Sequence, residues 1–454
     1  MKFFDVINKP RCALFCALSA AALWLAACSG TPLDSEIAAR KDVDESQKKL
    51  FRAELPELSA SSSKEDYVKY ALLRSPRVKA AFHEWKAATE AIAAARSLPD
   101  PKLEFEAEID DTLSSAMPGF MFYYTLPEKR AAAGDYAASL AREAYFEFRK
   151  TALETADNLM KAWADYEYYK QSVILRSQEL EALEKNYQYA VAEYSAQSSG
   201  TLDKSLAITL EAARARAELE NAQDAILAAK AAFKAALGIP REGLDLPFPQ
   251  DYPHFDAIAD TNALWQEILK QNPDLSALRA AVLSAEADVR IAKTSELPDF
   301  EVGLYANVVS SPVMFKPVGK MTLPIWRDKI ESYIASARGR SAAAAMRLEA
   351  SQIELGARLA QAEFELKESA RIARYVNKDA IPAVDAAINS AAAGYAAGLG
   401  QIGRIAELEV LRAYFANEGA KALRDLRKAH AELHYMLLGD LPQSADFLSV
   451  NAKP

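Results

Sequence analysis

The chain has 454 residues and a formal net charge of −9, with 54 Lys and Arg against 63 Asp and Glu. That balance excludes an ordinary basic nucleic-acid binder. Alanine is abundant and glycine, at 16 residues, is scarce, which is the composition of long helices and coiled coils.

The first residues read as an export signal over residues 1–27. Lys2, Lys9 and Arg11 form a positive start, and Cys12 to Leu25 is an apolar run of the usual length. It ends in Leu25-Ala26-Ala27-Cys28, which is similar to a bacterial lipobox, and Ser29 follows. That similarity implies a diacylated Cys28 as the mature N-terminus, sorted to the outer membrane. It would consume Cys28 and discard Cys12 and Cys16, leaving no cysteine for a disulfide. Past this segment no run of about 18 apolar residues occurs, so no transmembrane helix is expected in the mature chain. Residues 28–63 are polar, and we read them as an extended, lipidated linker.

Helix is expected over Lys64–Leu98, then a short block opens at Leu98-Pro99-Asp100 and closes at Thr125-Leu126-Pro127. A very long helix follows over Glu128–Ala196. A turn around residues 194–203 (YSAQSSGTLD) leads to a second helix, Leu202–Leu237. Residues 239–260 are rich in Pro and aromatic side chains and read as a linker. The plan then repeats: helix over Asn262–Glu296, a block bracketed by Pro298 and Pro324, a long helix Arg327–Ala397, a turn at about 395–403, and helix Ile402–Leu438. Residues 440–454 form a tail. Proline lacks the N–H that a helix interior needs and its ring clashes with the preceding turn, so Pro99, Pro127, Pro298 and Pro324 mark helix–strand transitions.

Offsets of about 200 residues relate Ser75-Pro76 to Asn272-Pro273, Tyr194 to Tyr395, and Gly238 to Gly439, with almost no gaps. The chain therefore reads as two homologous halves, residues 64–238 and 261–439. At ~1.5 Å per residue the long helix spans roughly 100 Å, and the two shorter helices together match it. Two short helices stacked end to end beside each long one give a wall of antiparallel helices.

Inside the brackets, residues 102–126 and 299–323 alternate as strands do. Leu103, Phe105, Ala107 and Ile109 share one face, and Glu104, Glu106, Glu108 and Asp110 the other. Phe120, Phe122, Tyr124 and Leu126 share a face of the returning strand. Val302, Leu304, Ala306 and Val308 alternate with Glu301, Gly303, Tyr305 and Asn307, and Lys316 and Lys320 lie opposite Phe315 and Met321. Strands of about ten residues with one apolar and one polar face suit a membrane β-barrel; taken alone they also suit a solvated hairpin on a soluble domain, and it is the export signal and lipobox that favour the membrane. Four strands cannot close, and the bilayer tolerates no open edge. A homotrimer of ~12 strands is the simplest solution. Its lumen would carry Glu104, Glu106, Glu108, Asp110 and Glu301, a lining that favours cations.

Tandem halves, paired strand inserts, the lipobox and the hairpin turns together resemble the TolC-like outer-membrane efflux protein family, over about residues 64–440. The resemblance implies a trimer with a 12-stranded outer-membrane β-barrel above a long periplasmic α-barrel. It implies the exit duct of a tripartite efflux pump, working with a periplasmic adaptor and an inner-membrane pump, or alternatively a type I secretion duct. Leu126-Pro127-Glu128-Lys129-Arg130 and Leu323-Pro324-Ile325-Trp326 are similar to stretches of the heavy-metal cation branch, although that branch usually has Gly where Glu128 stands. Tyr395-Ala396-Ala397-Gly398-Leu399-Gly400 resembles the family's adaptor-docking tip. The first tip departs from it, with Gln197 at the aligned glycine and Gly200 the nearest one. Asp203 starts the following helix, where a carboxylate suits the dipole.

His430 and His434 lie i, i+4 with Glu432 between them, but His-Ala-Glu-Leu-His is not a zinc-protease pattern and no third ligand is in view. No phosphate loop, nucleophile elbow or Cys/His cluster occurs, so neither an enzyme nor a cofactor site is expected. Trp163, Tyr166, Tyr168 and Tyr169 read as packing side chains. A lipid-anchored periplasmic coiled-coil adaptor or scaffold is the competing reading. It would need a lipoyl-like or β-barrel domain beside one hairpin, which this sequence lacks.

Overall fold

The computed structural model describes residues 32–109, 113–195, 202–242, 248–249, 252, 261–398 and 402–437. Ten α-helices and four strands run in chain order among them. The first half holds α1 (Asp34–Arg52), α2 (Lys64–Arg74), α3 (Pro76–Arg96), β1 (Lys102–Ile109), β2 (Leu113–Tyr124), α4 (Pro127–Ser195) and α5 (Leu202–Ala236). The second holds α6 (Thr261–Gln271), α7 (Pro273–Lys293), β3 (Asp299–Asn307), β4 (Met314–Thr322), α8 (Arg327–Tyr375), α9 (Ile381–Ala396) and α10 (Ile402–Leu437).

Three differences from the sequence reading have local causes. Part of the expected linker is helix α1, because Glu36, Val43, Ser46 and Leu50 form a buried stripe against the wall. The helices expected over 64–98 and 262–296 each break once. Ser75 and Asn272 leave helical geometry (ψ 119° and 129°) because a proline follows. Each then caps the next helix through its own side chain, with the proline at the first turn. Third, the long second helix contains a π-turn at Val376–Ala380, just ahead of Pro382, which would otherwise leave a carbonyl without a partner.

The strands form one antiparallel sheet in the order β1-β2-β3-β4. Below it, α4 packs with α3 and α7 along its upper half and with α5 and α10 along its lower half. The α8–α9 rod packs against α7 and α10. The result is a wall one helix thick, with α8–α9 along one edge and α3 and α5 along the other.

Large side chains concentrate at the waist, where short helices meet end to end. Tyr67, Phe82, Trp85, Phe148, Trp163, Phe233 and Leu237 are buried together in the first half. Ile268, Leu275, Leu355, Leu359, Leu433 and Met436 do the same in the second. Phe248 and Tyr252, from the linker between the halves, cover this core, ring to ring with Tyr166 at 4.9 Å and Trp163 at 5.9 Å. Away from the waist the seams are alanine. Ala215, Ala222 and Ala229 on α5, and Ala406, Ala413 and Ala420 on α10, are buried at seven-residue spacing. That heptad of small residues lets helix backbones approach closely along a supercoiled seam.

Candidate functional site

The chemistry-bearing residues fall at three levels: the sheet, the helix–strand transitions with the waist, and the hairpin tips. Within the sheet, β1 pairs with β2, β2 with β3 and β3 with β4 in a register that keeps faces aligned. Glu104 lies opposite Gly119, Gly119 opposite Tyr305, and Tyr305 opposite Lys316. One face is apolar and bare. Leu103, Phe105, Phe120, Val302, Leu304, Phe315 and Met321 are each more than half exposed. In water such a patch costs solvation free energy and marks a surface made for lipid or protein.

The other face is concave and polar. Glu104, Glu106, Glu108 and Glu301 all lie on it; Asp110 lies outside the described residues. Tyr305 stretches its ring across Gly119 and donates its hydroxyl to Glu104 on the strand beyond. Only a glycine permits this crossing, since a Cβ on residue 119 would sit 2.4 Å from the ring. Lysines share the face. Lys320 lies 3.6 Å from Glu301, Lys102 lies over the Tyr123 ring at 4.7 Å, and Lys316 reaches Glu106 at 3.9 Å. The last contact joins the two edge strands of the sheet, so the sheet is strongly curled. The expected acidic lining is thus an acidic stripe on β1 facing a basic stripe on β4. The alternation on each strand was visible in sequence, but their approach was not.

Pro99, Pro127, Pro298 and Pro324 stand at the four junctions between wall and sheet, Pro127 as the first residue of α4. Lys129 there donates to Asp299 at 2.8 Å, tying the start of α4 to the start of β3. Close below, α1 runs antiparallel to α3. Glu36, its side chain 3 % exposed, accepts from Arg96 Nε at 2.5 Å and from Arg40 Nε at 3.1 Å. The Arg96 hydrogen bond outweighs burial and holds the Glu36 carboxyl below its ordinary range. Further along, Arg40 pairs with Glu90 at 2.8 Å and Lys86 donates to Gln47 at 3.0 Å. This polarity puts the N-terminal end of α1 beside the transition. Cys28 lies outside the described residues.

At the waist, charged side chains join four helices. Lys161 donates to Asp157 at 2.7 Å and to Glu432. Arg358 pairs with Glu432 at 2.6 Å and with Asp274 at 3.3 Å, and Lys150 reaches Asp274 at 3.3 Å. Burial pushes the Glu432 carboxyl up, but the bonds from Lys161 and Arg358 prevail and hold it down. Asp157, more deeply placed, is raised by its burial. Of this network only the i, i+4 pair Asp157–Lys161 had a sequence signal.

The two histidines stack at 6.2 Å, and His434 is lowered to about 4 by burial, with Lys64 and His430 adding to the effect. No group of three or more potential ligands converges among the described residues. Trp163 and Tyr166 belong to the waist core, and Tyr168 lies under the Arg424 guanidinium at 4.5 Å.

At the tips Tyr194 and Tyr395 are about half exposed, at the ends of α4 and α9. Gly398 has φ +75° and donates its N–H to the Tyr395 carbonyl at 3.0 Å, closing the helix in left-handed geometry. Asp203 lies in the first turn of α5. Gly200, Leu399 and Gly400 lie outside the described residues. Above the tips, a cavity of about 470 Å³ opens between α4, α5 and α10. Arg176 lines it, paired with Glu179 at 2.6 Å and Glu218 at 2.7 Å.

No helix among the described residues is long and apolar enough to cross a membrane. Residues 264–437 match the sequence profile of the outer membrane efflux protein family. Comparison with curated protein sequences gives no match. Solved structures with the same fold include CusC, at 13 % identity and a TM-score of 0.68, covering 84 % of this chain and 93 % of that one. VceC from Vibrio cholerae is 18 % identical, with a TM-score of 0.65 and coverage of 82 % and 96 %. The open-state MtrE channel of Neisseria gonorrhoeae is 16 % identical, with a TM-score of 0.68 and coverage of 82 % and 88 %. At these identities the likeness is one of fold.

Proposed function

We propose, from the match of residues 264–437 to the outer membrane efflux protein profile, that the chain is the outer-membrane exit duct of a tripartite efflux pump. The observation that carries the reading is the curled four-stranded sheet, apolar outside and charged within, on a helical wall whose edges are open. A sheet this narrow satisfies the bilayer only when copies close it, and three copies give ~12 strands. The wall's own edges support the same assembly. Tyr333, Met346, Ile353 and Phe364 on α8 and Leu206, Leu210 and Leu227 on α5 are all more than half exposed. Closing three walls edge to edge would cover these side chains and continue the barrel as a helical conduit into the periplasm.

In this reading the helical part lies in the periplasm, and the hairpin tips at Tyr194 and Tyr395 meet a periplasmic adaptor that links the duct to an inner-membrane pump. Lipidation at Cys28 fits the position of α1, whose N-terminal end sits by the transition within reach of the bilayer. Conduction is passive, because a duct lined by fixed side chains carries no energy source; the pump supplies direction and most of the selection. The test is to extract outer membranes and look for a heat-modifiable trimer, then to record conductance of the purified protein in a planar bilayer. A soluble monomer without conductance would refute the duct and favour a lipid-tethered scaffold.

A further inference from the structure

Two edges of the sheet are left unpaired, β1 with its glutamates and β4 with its lysines. Lysines on an edge strand ordinarily block edge-to-edge pairing, unless the approaching edge supplies carboxylates at the matching positions. Here the spacings match. Lys316 and Lys320 lie on the inner face four residues apart, and so do Glu104 and Glu108.

We propose that β4 of one chain pairs antiparallel with β1 of the next copy in a single register, with Lys320 opposite Glu104 and Lys316 opposite Glu108. The inference rests on the trimeric duct proposed above and specifies how it closes. Three independent features favour this register. First is overlap: it sets Thr322 opposite Lys102 and Phe315 opposite Ile109, so the two strands pair along nearly their whole lengths. Second is charge. A shift two residues shorter would put Lys320 against Lys102, and like charges directly opposite destabilise a strand pair. A shift two residues longer would carry Lys102 and Leu103 past the end of β4.

The third feature is barrel geometry. Within a chain Lys102 is level with Met121, Gly303 and Val318. Bringing Thr322 rather than Val318 opposite the next Lys102 therefore staggers the sheet by four residues per chain. That is a rise of about 14 Å over about 19 Å of sheet width, a strand tilt of about 35°, which lies in the range closed barrels use. Shifts of two and six residues would give about 20° and about 47°. The outer face agrees as well. Phe105 would lie opposite Gly319, around whose missing Cβ no atom lies within 4 Å. An aromatic ring over a cross-strand glycine is the arrangement Tyr305 and Gly119 already show within the chain.

Within one chain Lys316 reaches the same chain's Glu106. Opening the curl into a barrel trades that contact for Glu108 of the neighbouring copy, so assembly exchanges ion pairs between chains without leaving β4 uncompensated.

Paired cysteines in the full-length protein test the register after oxidation in outer-membrane vesicles, beside the parent chain with its own cysteines. Lys316→Cys with Glu108→Cys, and Lys320→Cys with Glu104→Cys, should give covalent dimers and trimers on denaturing gels. The unstaggered pair, Lys316→Cys with Glu104→Cys, should not. A ladder from the unstaggered pair, or only intrachain cross-links in a protein that light scattering shows to be trimeric, overturns the seam and leaves the duct standing. A monomer by light scattering overturns the duct and the seam together. Lys316→Glu with Lys320→Glu should reduce trimer about tenfold, and adding Glu104→Lys with Glu108→Lys should restore it, since only the mutual pairing is conserved.

Discussion

Replacing Glu36 by Gln should release α1 from the wall without unfolding the protein. The Glu36 side chain is 3 % exposed and that of Arg96 14 %, with bonds of 2.5 and 3.3 Å between them. Arg40 is 39 % exposed, and its pairing adds little. Charge-assisted hydrogen bonds contribute about 1.5–3 kcal/mol, and a neutral amide keeps part of the geometry, so we expect a loss of about 2 kcal/mol. That is roughly 30-fold in the opening equilibrium of α1. Amide hydrogen exchange of peptides covering residues 34–52 should accelerate by about that factor, while peptides from the Trp163 core stay protected. The charge explanation has a pH signature. Because Arg96 holds the Glu36 carboxyl below its ordinary range, its contribution is complete above that range and fades as pH falls through the lowered value. Wild-type α1 should therefore loosen in acid after correction for intrinsic exchange, and Glu36→Gln should not show that step. A change under about threefold, or the full effect persisting in an Arg96→Met background, would refute the clasp.

His434 is lowered to about 4 by burial. Between its unfolded pKa and that value the unfolded chain binds more protons, so stability should fall as pH drops from about 6.5 to about 4, by about 2–3 kcal/mol. Melting curves of His434→Gln should lose that slope. Gly119→Ala should displace Tyr305 from Glu104 and lower the heat-dissociation temperature of the proposed trimer, at a cost of about 1–3 kcal/mol. The double variant Gly119→Ala/Tyr305→Ala should recover most of it; no recovery would locate the strain elsewhere. Replacing Glu104, Glu106, Glu108 and Asp110 by their amides leaves Lys102, Lys316 and Lys320 on the inner face against the carboxylate of Glu301. Reversal potentials in a planar bilayer should move toward anions, and an unchanged ion preference would show that the sheet does not set it.

Much of this protein was legible in its sequence because its signals are local. Proline at residues 99, 127, 298 and 324 breaks helices through its own ring, wherever the chain lies; Pro76 and Pro273 do the same inside segments whose helical pattern continues across them. Period-two alternation in 102–109 and 299–307 assigns strand faces before any partner is known. Residues 34–52 show the converse. One carboxylate, one valine, one serine and one leucine are a weak helical stripe, and α1 is defined by docking on α3 and by Arg96, 60 residues away. The waist network is of the same kind, since Lys161, Asp274, Arg358 and Glu432 come from four helices whose adjacency no short-range pattern encodes.

The four-stranded sheet divides along that line. The sequence by itself determined that each strand has a charged and an apolar side, because side-chain direction follows from backbone pleat alone. Only the tertiary structure decided that glutamates and lysines share one concave face and that Tyr305 crosses Gly119 to reach Glu104. The curl of a sheet and the closeness of its two edges depend on every strand at once.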